Sequence, residues 1–151
     1  MKTISGNLIQ LAKDGQFDLI AHGCNCFCTM GAGIAKAVKD VFPVAFQADE
    51  ATKRGDRAKL GTCSSAEIAL RTSSLIVVNA YTQFDWRGRG TKVDYAAVRS
   101  CMEWIKKQYP GKRIGLPRIG AGLAGGDWPT IAAIIQQELV GEDVTLVEYQ
   151  P

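Results

Sequence analysis

Two glycine-rich segments and a handful of reactive side chains set the chemical possibilities of this chain. The first segment is Gly115-Leu-Pro-Arg-Ile-Gly-Ala-Gly-Leu-Ala-Gly-Gly-Asp-Trp128, with five glycines in fourteen residues. An apolar strand signal precedes it, and a helical pattern (Ile131, Ile134, Ile135, Leu139) follows. The second is Met30-Gly-Ala-Gly-Ile-Ala35, also between a strand and a helix. Glycine lets backbone approach a ligand closely. A helix N-terminus presents free N–H groups and partial positive charge to anions. Two such loops in one small α/β chain suit a pyrophosphate gripped from two sides. Neither is a standard nucleotide fingerprint. Lys36 stands where G-x-G-x-x-G needs its third glycine, and no G-x-x-x-x-G-K-[ST] occurs.

Several side chains near these loops can do chemistry. Lys92 lies at the start of a helix, close to Arg87 and Arg89; its amine is a candidate nucleophile when neutral, against the ordinary fate of a solvated surface lysine. Asp127 is the carboxylate nearest the first glycine loop. It also reads as an N-cap, with Pro129 in the first helical turn, and the two roles are compatible. His22 is the only histidine: a ligand-binding group, a general base, or a hydrogen-bonded structural residue at the end of a buried strand. Cys24, Cys26 and Cys28 flank Asn25 in a C-x-C-x-C spacing. Zinc sites use C-x₂₋₄-C with a second ligand pair, so no metal or other cofactor is expected. Packing is the preferred reading of these thiols over nucleophilic catalysis. Tyr81, Phe84, Trp86 and Trp128 are aromatics within reach of the loops.

The elements that must position these groups are legible in outline. Strand signals cover Lys2–Ser5, Phe17–Ala21, Gly61–Leu70, Ser74–Ala80, Arg113–Leu116 and Val144–Tyr149. Leu75-Ile-Val-Val78 is continuously apolar, as in a strand buried on both faces. Helical patterns cover Ile34–Val41, Val44–Arg54, Asp94–Tyr109 and the segment after Asp127. Asp94 is a plausible N-cap, and Pro110-Gly111 a stop. Strands alternating with helices predict an α/β fold with a mixed, mostly parallel central sheet between helical layers.

The chain has 151 residues, suited to a single domain over 1–151. A net charge of +3 with scattered basic residues gives no strong nucleic-acid signal and is compatible with an anionic small ligand. The N-terminus lacks a long apolar run, and nothing approaches the ~20 apolar residues of a membrane span. Five cysteines, an odd number, read as reduced thiols in a cytoplasmic protein.

Four segments together, Gly6-Asn-Leu8, Ala21-His-Gly-Cys-Asn25, Met30-Gly-Ala-Gly-Ile-Ala35 and Leu116-Pro-Arg-Ile-Gly-Ala-Gly-Leu123, resemble the macro domain family. The resemblance runs from about Lys2 to Tyr149. It is nearest the branch containing terminal ADP-ribose protein glycohydrolase, the yeast-type ADP-ribose 1″-phosphate phosphatase and the DNA-ADP-ribose hydrolase antitoxins. It implies a three-layer fold and an ADP-ribose cleft above the sheet, with free ADP-ribose or an ADP-ribosylated macromolecule as partner. It implies that Asn7 and Leu8 lie at the adenine, where most members have aspartate for Asn7. Asn25 would sit beside the distal ribose. Met30, Gly31, Ala32, Gly33, Ile34 and Ala35 on one side, and Pro117, Ile119, Gly120, Ala121, Gly122 and Leu123 on the other, would clamp the diphosphate and distal ribose. Lys92 matches the glycohydrolase segment whose lysine attacks C1″, whereas Ala124 stands where that enzyme has its catalytic aspartate, leaving Asp127 as substitute. His22 is the local acid–base candidate for phosphatase chemistry. The implied activity is hydrolysis at C1″, by glycohydrolase or 1″-phosphatase chemistry; the alternative is a non-catalytic reader of ADP-ribose.

Overall fold

The computed structural model covers residues 1–151. Six strands form one sheet: β1 (Lys2–Gly6), β2 (Leu19–Cys24), β3 (Cys63–Ala69), β4 (Ser74–Tyr81), β5 (Arg113–Leu116) and β6 (Asp143–Tyr149). Their order is β1-β6-β5-β2-β4-β3. Every pair is parallel except β3–β4, where β3 turns back along the edge. The expected mixed, mostly parallel sheet is therefore the observed one.

The helices are α1 (Leu8–Lys13), α2 (Gly33–Val41), α3 (Pro43–Glu50), α4 (Tyr95–Gln108) and α5 (Trp128–Glu138), with a short 3₁₀ turn at Arg57–Lys59. On α4, Val98, Cys101, Met102 and Ile105 repeat at i, i+3, i+4 and i+7 and are buried. They join Ile131 and Ile135 of α5 and the sheet residues Leu19, Val78 and Ile114 in one apolar cluster. On the opposite face Ala12, Val38 and Ala45 of α1–α3 pack with Ile20, Leu75 and Val77. The central strands β2 and β4 are thus covered on both sides, which is why they read as nearly unbroken apolar runs. No helix is long and apolar enough to cross a membrane.

The structure departs from the sequence expectations at three places that matter for the site. A helix, α1, begins directly after β1. Asn7 caps it, its Oδ1 accepting from the Gln10 N–H at 3.1 Å. Second, β2 continues through His22 to Cys24 rather than stopping at Ala21, so His22 lies inside the sheet opposite Asn79. Third, α3 ends at Glu50 instead of Arg54, and the following turn leads into the 3₁₀ segment that carries Lys59.

Candidate functional site

The carboxyl ends of β2, β4 and β5 open into a cleft of about 630 Å³, the size of a small-molecule site and the expected place for one above a parallel sheet. Gly23, Cys24 and Asn25 enter from β2, Thr82 and Gln83 from the end of β4, and Pro117, Arg118, Ile119 and Gly120 from β5. Met30 to Ala35 supply one lip; Gly122, Leu123 and Ala124 supply the other, and Lys92 and Trp86 stand on the connecting loop. The two glycine segments, more than eighty residues apart in sequence, face the same space.

Both lips offer N–H groups without internal partners. Ala32 caps α2 with no side-chain hydrogen bond, so the first-turn amides of Gly33, Ile34 and Ala35 have no intrahelical acceptor. In the second loop the N–H groups of Gly120, Gly122, Leu123 and Ala124 make no backbone bond, while Gly126 N–H closes the turn onto Gly120 O at 2.7 Å. Gly120 has φ +75°, and a Cβ there would lie 2.6 Å from Val93 Cγ2; only glycine makes this turn. The α5 terminus differs. Asp127 Oδ2 accepts from Thr130 N–H at 3.1 Å and Thr130 Oγ1 at 2.6 Å, so its positive end already has an anion. Both glycine segments precede a helix whose start could seat an anion. In the structure the uncapped helix beside the cleft is α2.

The candidate side chains divide by position. Asn25, Met30, Gly31, Ala32, Gly33, Ile34, Ala35, Lys92, Pro117, Ile119, Gly120, Gly122 and Leu123 all line the cleft. Asn7, Leu8, His22, Ala121 and Asp127 do not: Leu8 is the buried first residue of α1, Ala121 packs against the α4–α5 core, and Asp127 is engaged as the α5 cap. Asn25 shapes its own loop, its Oδ1 accepting from Phe27 N–H and its Nδ2 donating to Thr29 Oγ1, both at 2.8 Å. Lys92 is half-buried and folds its Nζ back to Arg89 O at 2.9 Å. The three neighbouring thiols diverge: Cys24 toward His22, Cys26 toward Gln83 O, and Cys28 toward Asp49 O. Burial pushes Cys26 up to about 11 and raises Cys24 well above the usual thiol range, so both stay protonated thiols.

His22 is 1% exposed. Desolvation holds it down at about 4, with the Asn79 hydrogen bond opposing, so the ring is neutral near pH 7. It begins a directed buried chain. Asn79 Nδ2 donates to Ala45 O and Ser64 Oγ, which leaves its Oδ1 to accept from His22 Nε2 at 2.7 Å. Tyr81 donates its single hydroxyl proton to Asp49 Oδ1 at 2.7 Å, so Ser64 Oγ donates to Tyr81 at 2.8 Å. The chain terminates on Asp49, which lines the cleft. Asp49, Gln83, Thr82, Trp86 and Arg118 line the cleft without any site role legible in the residue pattern, apart from Trp86 as a nearby aromatic. Asp49 sits near the end of the short helix α3, with nothing local to mark it.

The cap makes one stability prediction. Asp127→Ala is expected to cost about 1 kcal/mol, a fall of about 2–4 °C in unfolding midpoint for a chain this size. An unchanged midpoint in thermal melts means that the cap contributes nothing.

Residues 21–135 match the family model described as Macro domain. The chain belongs to the macro domain family. It is 36% identical over 156 residues to an uncharacterized 17.5 kDa protein from the tk-vs intergenic region of Enterobacteria phage T4, covering all of this chain and 97% of that one. Its fold is shared with the macrodomain of Thermus aquaticus DarG (TM-score 0.73, 23% identity, 99% of this chain and 97% of that one). It is also shared with the Trypanosoma brucei macrodomain solved in complex with ADP-ribose (TM-score 0.67, 18% identity, 97% and 62%).

Proposed function

We propose that this macro domain binds ADP-ribose in the cleft and hydrolyses an ADP-ribose derivative at C1″. The observation that carries the reading is the pair of facing lips rich in unpartnered N–H groups, Gly33–Ala35 and Gly120–Ala124. A diphosphate supplies the acceptors these groups lack. Membership of the family and the trypanosome macrodomain's complex with ADP-ribose support the ligand. Lys92, on the cleft wall at the entry to α4, is the proposed nucleophile toward C1″.

A second reading, a reader without turnover, draws on one observation. Ala124 stands on the cleft lip where the resembling glycohydrolase has its aspartate, and Asp127 is occupied as a cap. Binding and turnover are tested separately. Titration calorimetry is expected to give a Kd on the order of micromolar for ADP-ribose, about −8 kcal/mol, and weaker binding for AMP, which lacks the second phosphate and distal ribose. No heat and no thermal shift with millimolar ADP-ribose would end this reading. Release of ADP-ribose from ADP-ribosylated protein or DNA, or of phosphate from ADP-ribose 1″-phosphate, distinguishes enzyme from reader.

A further inference from the structure

The cleft wall holds two cations, Lys92 and Arg118, but a single carboxylate, Asp49. Asp49 is 1% exposed. Its Oδ1 accepts from Tyr81, and its Oδ2 has no hydrogen-bond partner. An unpaired buried carboxylate oxygen is costly, and loop anchoring does not explain that cost. The anchor of the Asn25–Met30 loop is Asp49's backbone carbonyl, which accepts from Cys28 Sγ at 3.2 Å and Thr52 Oγ1 at 2.6 Å. Any residue at position 49 offers that carbonyl.

Charge decides which part of an ADP-ribose derivative the carboxylate meets. The diphosphate belongs with the N–H groups of the two lips and is repelled by Asp49. The uncharged distal ribose is left for the part of the cleft that Asp49 lines. Resting on the C1″ hydrolase reading, we propose that the substrate carries a glycosidic link at C1″ to an uncharged leaving group rather than a phosphate, and that Asp49 supplies the negative charge stabilising the cation formed as that link breaks. In the step, the C1″–leaving-group bond breaks with its electron pair going to the leaving group. Positive charge spreads over C1″ and the ring oxygen. The Lys92 amine then bonds to C1″ and gives up a proton to the departed group; water next displaces the amine, its oxygen bonding to C1″ and its proton passing to the lysine nitrogen as the C1″–nitrogen bond breaks. A fixed buried charge acts on such a cation across the low-dielectric wall without moving. The same charge repels a 1″-phosphate.

Burial holds the Asp49 carboxyl above its ordinary range, with the Tyr81 hydrogen bond and Lys59 opposing. The titratable and charged groups around it are Tyr81 on β4, Lys59 on the 3₁₀ turn, Glu50 on α3, and Cys24, Cys26 and Cys28 on the β2 strand end and its loop. Lys59 donates to Cys26 O at 3.1 Å and lies over the Tyr81 ring. The carboxyl must be ionised to act, so turnover falls as pH falls through its value.

The test compares three substrates: an ADP-ribosylated peptide, an ADP-ribosylated oligonucleotide, and ADP-ribose 1″-phosphate. At least one of the two glycosides is expected to turn over faster than the phosphate, and which one identifies the macromolecule. Asp49→Asn keeps the shape and an oxygen acceptor for Tyr81. It is expected to lower kcat on that glycoside by about 100-fold, with KM and ADP-ribose affinity within about threefold, and to abolish the acid limb of the pH profile. Tyr81→Phe removes the hydrogen bond that favours the ionised form, so its acid limb is expected at higher pH. Faster turnover of the 1″-phosphate, or glycoside turnover by a folded Asp49→Asn within threefold of the parent, overturns the inference and leaves hydrolysis standing. Loss of ADP-ribose affinity at unchanged kcat overturns it too, by making Asp49 a ground-state contact. If Asp49→Asn does not fold by circular dichroism, an unmoved acid limb in Tyr81→Phe overturns it. If none of the three substrates is turned over by the parent protein, the hydrolase reading itself fails and this inference with it.

Discussion

Gly122→Glu is expected to weaken ADP-ribose binding by at least about 100-fold, close to 3 kcal/mol, while leaving the fold intact. Gly122 lies on the second lip, and its position is open: a Cβ there meets nothing within 4 Å. Its φ does not require glycine. The substitution therefore adds a side chain without straining the turn. What it changes is the space above the unpartnered N–H groups of Gly122, Leu123 and Ala124, where a carboxylate fills the anion path and repels a diphosphate. Gly126 makes the contrast: a Cβ there would lie 2.5 Å from Val93 Cγ1 and 2.6 Å from Gly120 O, so substitution breaks the loop itself. Normal affinity in a folded Gly122→Glu, measured by calorimetry with circular dichroism as the fold check, reduces this loop to a turn.

Lys92→Ala is expected to lower kcat by at least about 100-fold with little change in ADP-ribose affinity, because a nucleophilic amine acts mainly in the transition state. The amine's present bond, to Arg89 O within its own exposed loop, is easily exchanged for a substrate contact. The backbone at this point is fixed independently, with Lys92 N–H on Ala124 O at 2.7 Å and Asp94 N–H on Thr82 O at 2.8 Å. Truncating the side chain thus leaves the lip in place. Lys92→Arg is expected to fail as well, since guanidinium stays protonated and cannot attack. Intact-mass measurement during turnover should detect one ADP-ribose bound covalently to the parent protein and none on Lys92→Ala. Full turnover by Lys92→Ala sinks the lysine mechanism and moves attention to the water and the Asp49 charge.

Much of this molecule was legible from residue order because the signals are local. Leu75-Ile-Val-Val78 reads as a doubly covered strand, and it is one, between β2 and β3 with helices on both faces. The Val98, Cys101, Met102, Ile105 stripe and the Asp94 cap define α4 without reference to any other part of the chain, the cap bonding Ala97 N–H at 2.9 Å. The glycine segments announce close backbone approach; Met30 to Ala35 and most of Pro117 to Leu123 line the cleft, whereas Asn7, Leu8, His22 and Ala121 do not. The short helix after β1 was not legible, since six residues carry too little periodicity; its start is a side-chain cap, from the residue that the family resemblance assigns to adenine.

Tertiary structure alone decided the rest, because burial and hydrogen-bond partnership depend on residues distant in sequence. By its sequence position His22 reads equally as a ligand-binding group, a base or a hydrogen-bonded structural residue at a strand end. The two further residues of β2 bury it against Asn79, fifty-seven positions away, and desolvation makes it a neutral anchor. Asp127 reads both as the carboxylate nearest the glycine loop and as a helix cap; the cap to Thr130 is local and legible, whereas its place off the cleft wall is set by how the loop and α5 pack. Asp49 looks like one polar residue on a polar helix. Only the packing of α3 beneath the Asn25 loop, with Tyr81 reaching across from β4, buries its carboxylate with one oxygen unpartnered in the cleft wall. Local pattern determines which elements form; the desolvation that distinguishes a working charge from a solvated one arises when those elements meet.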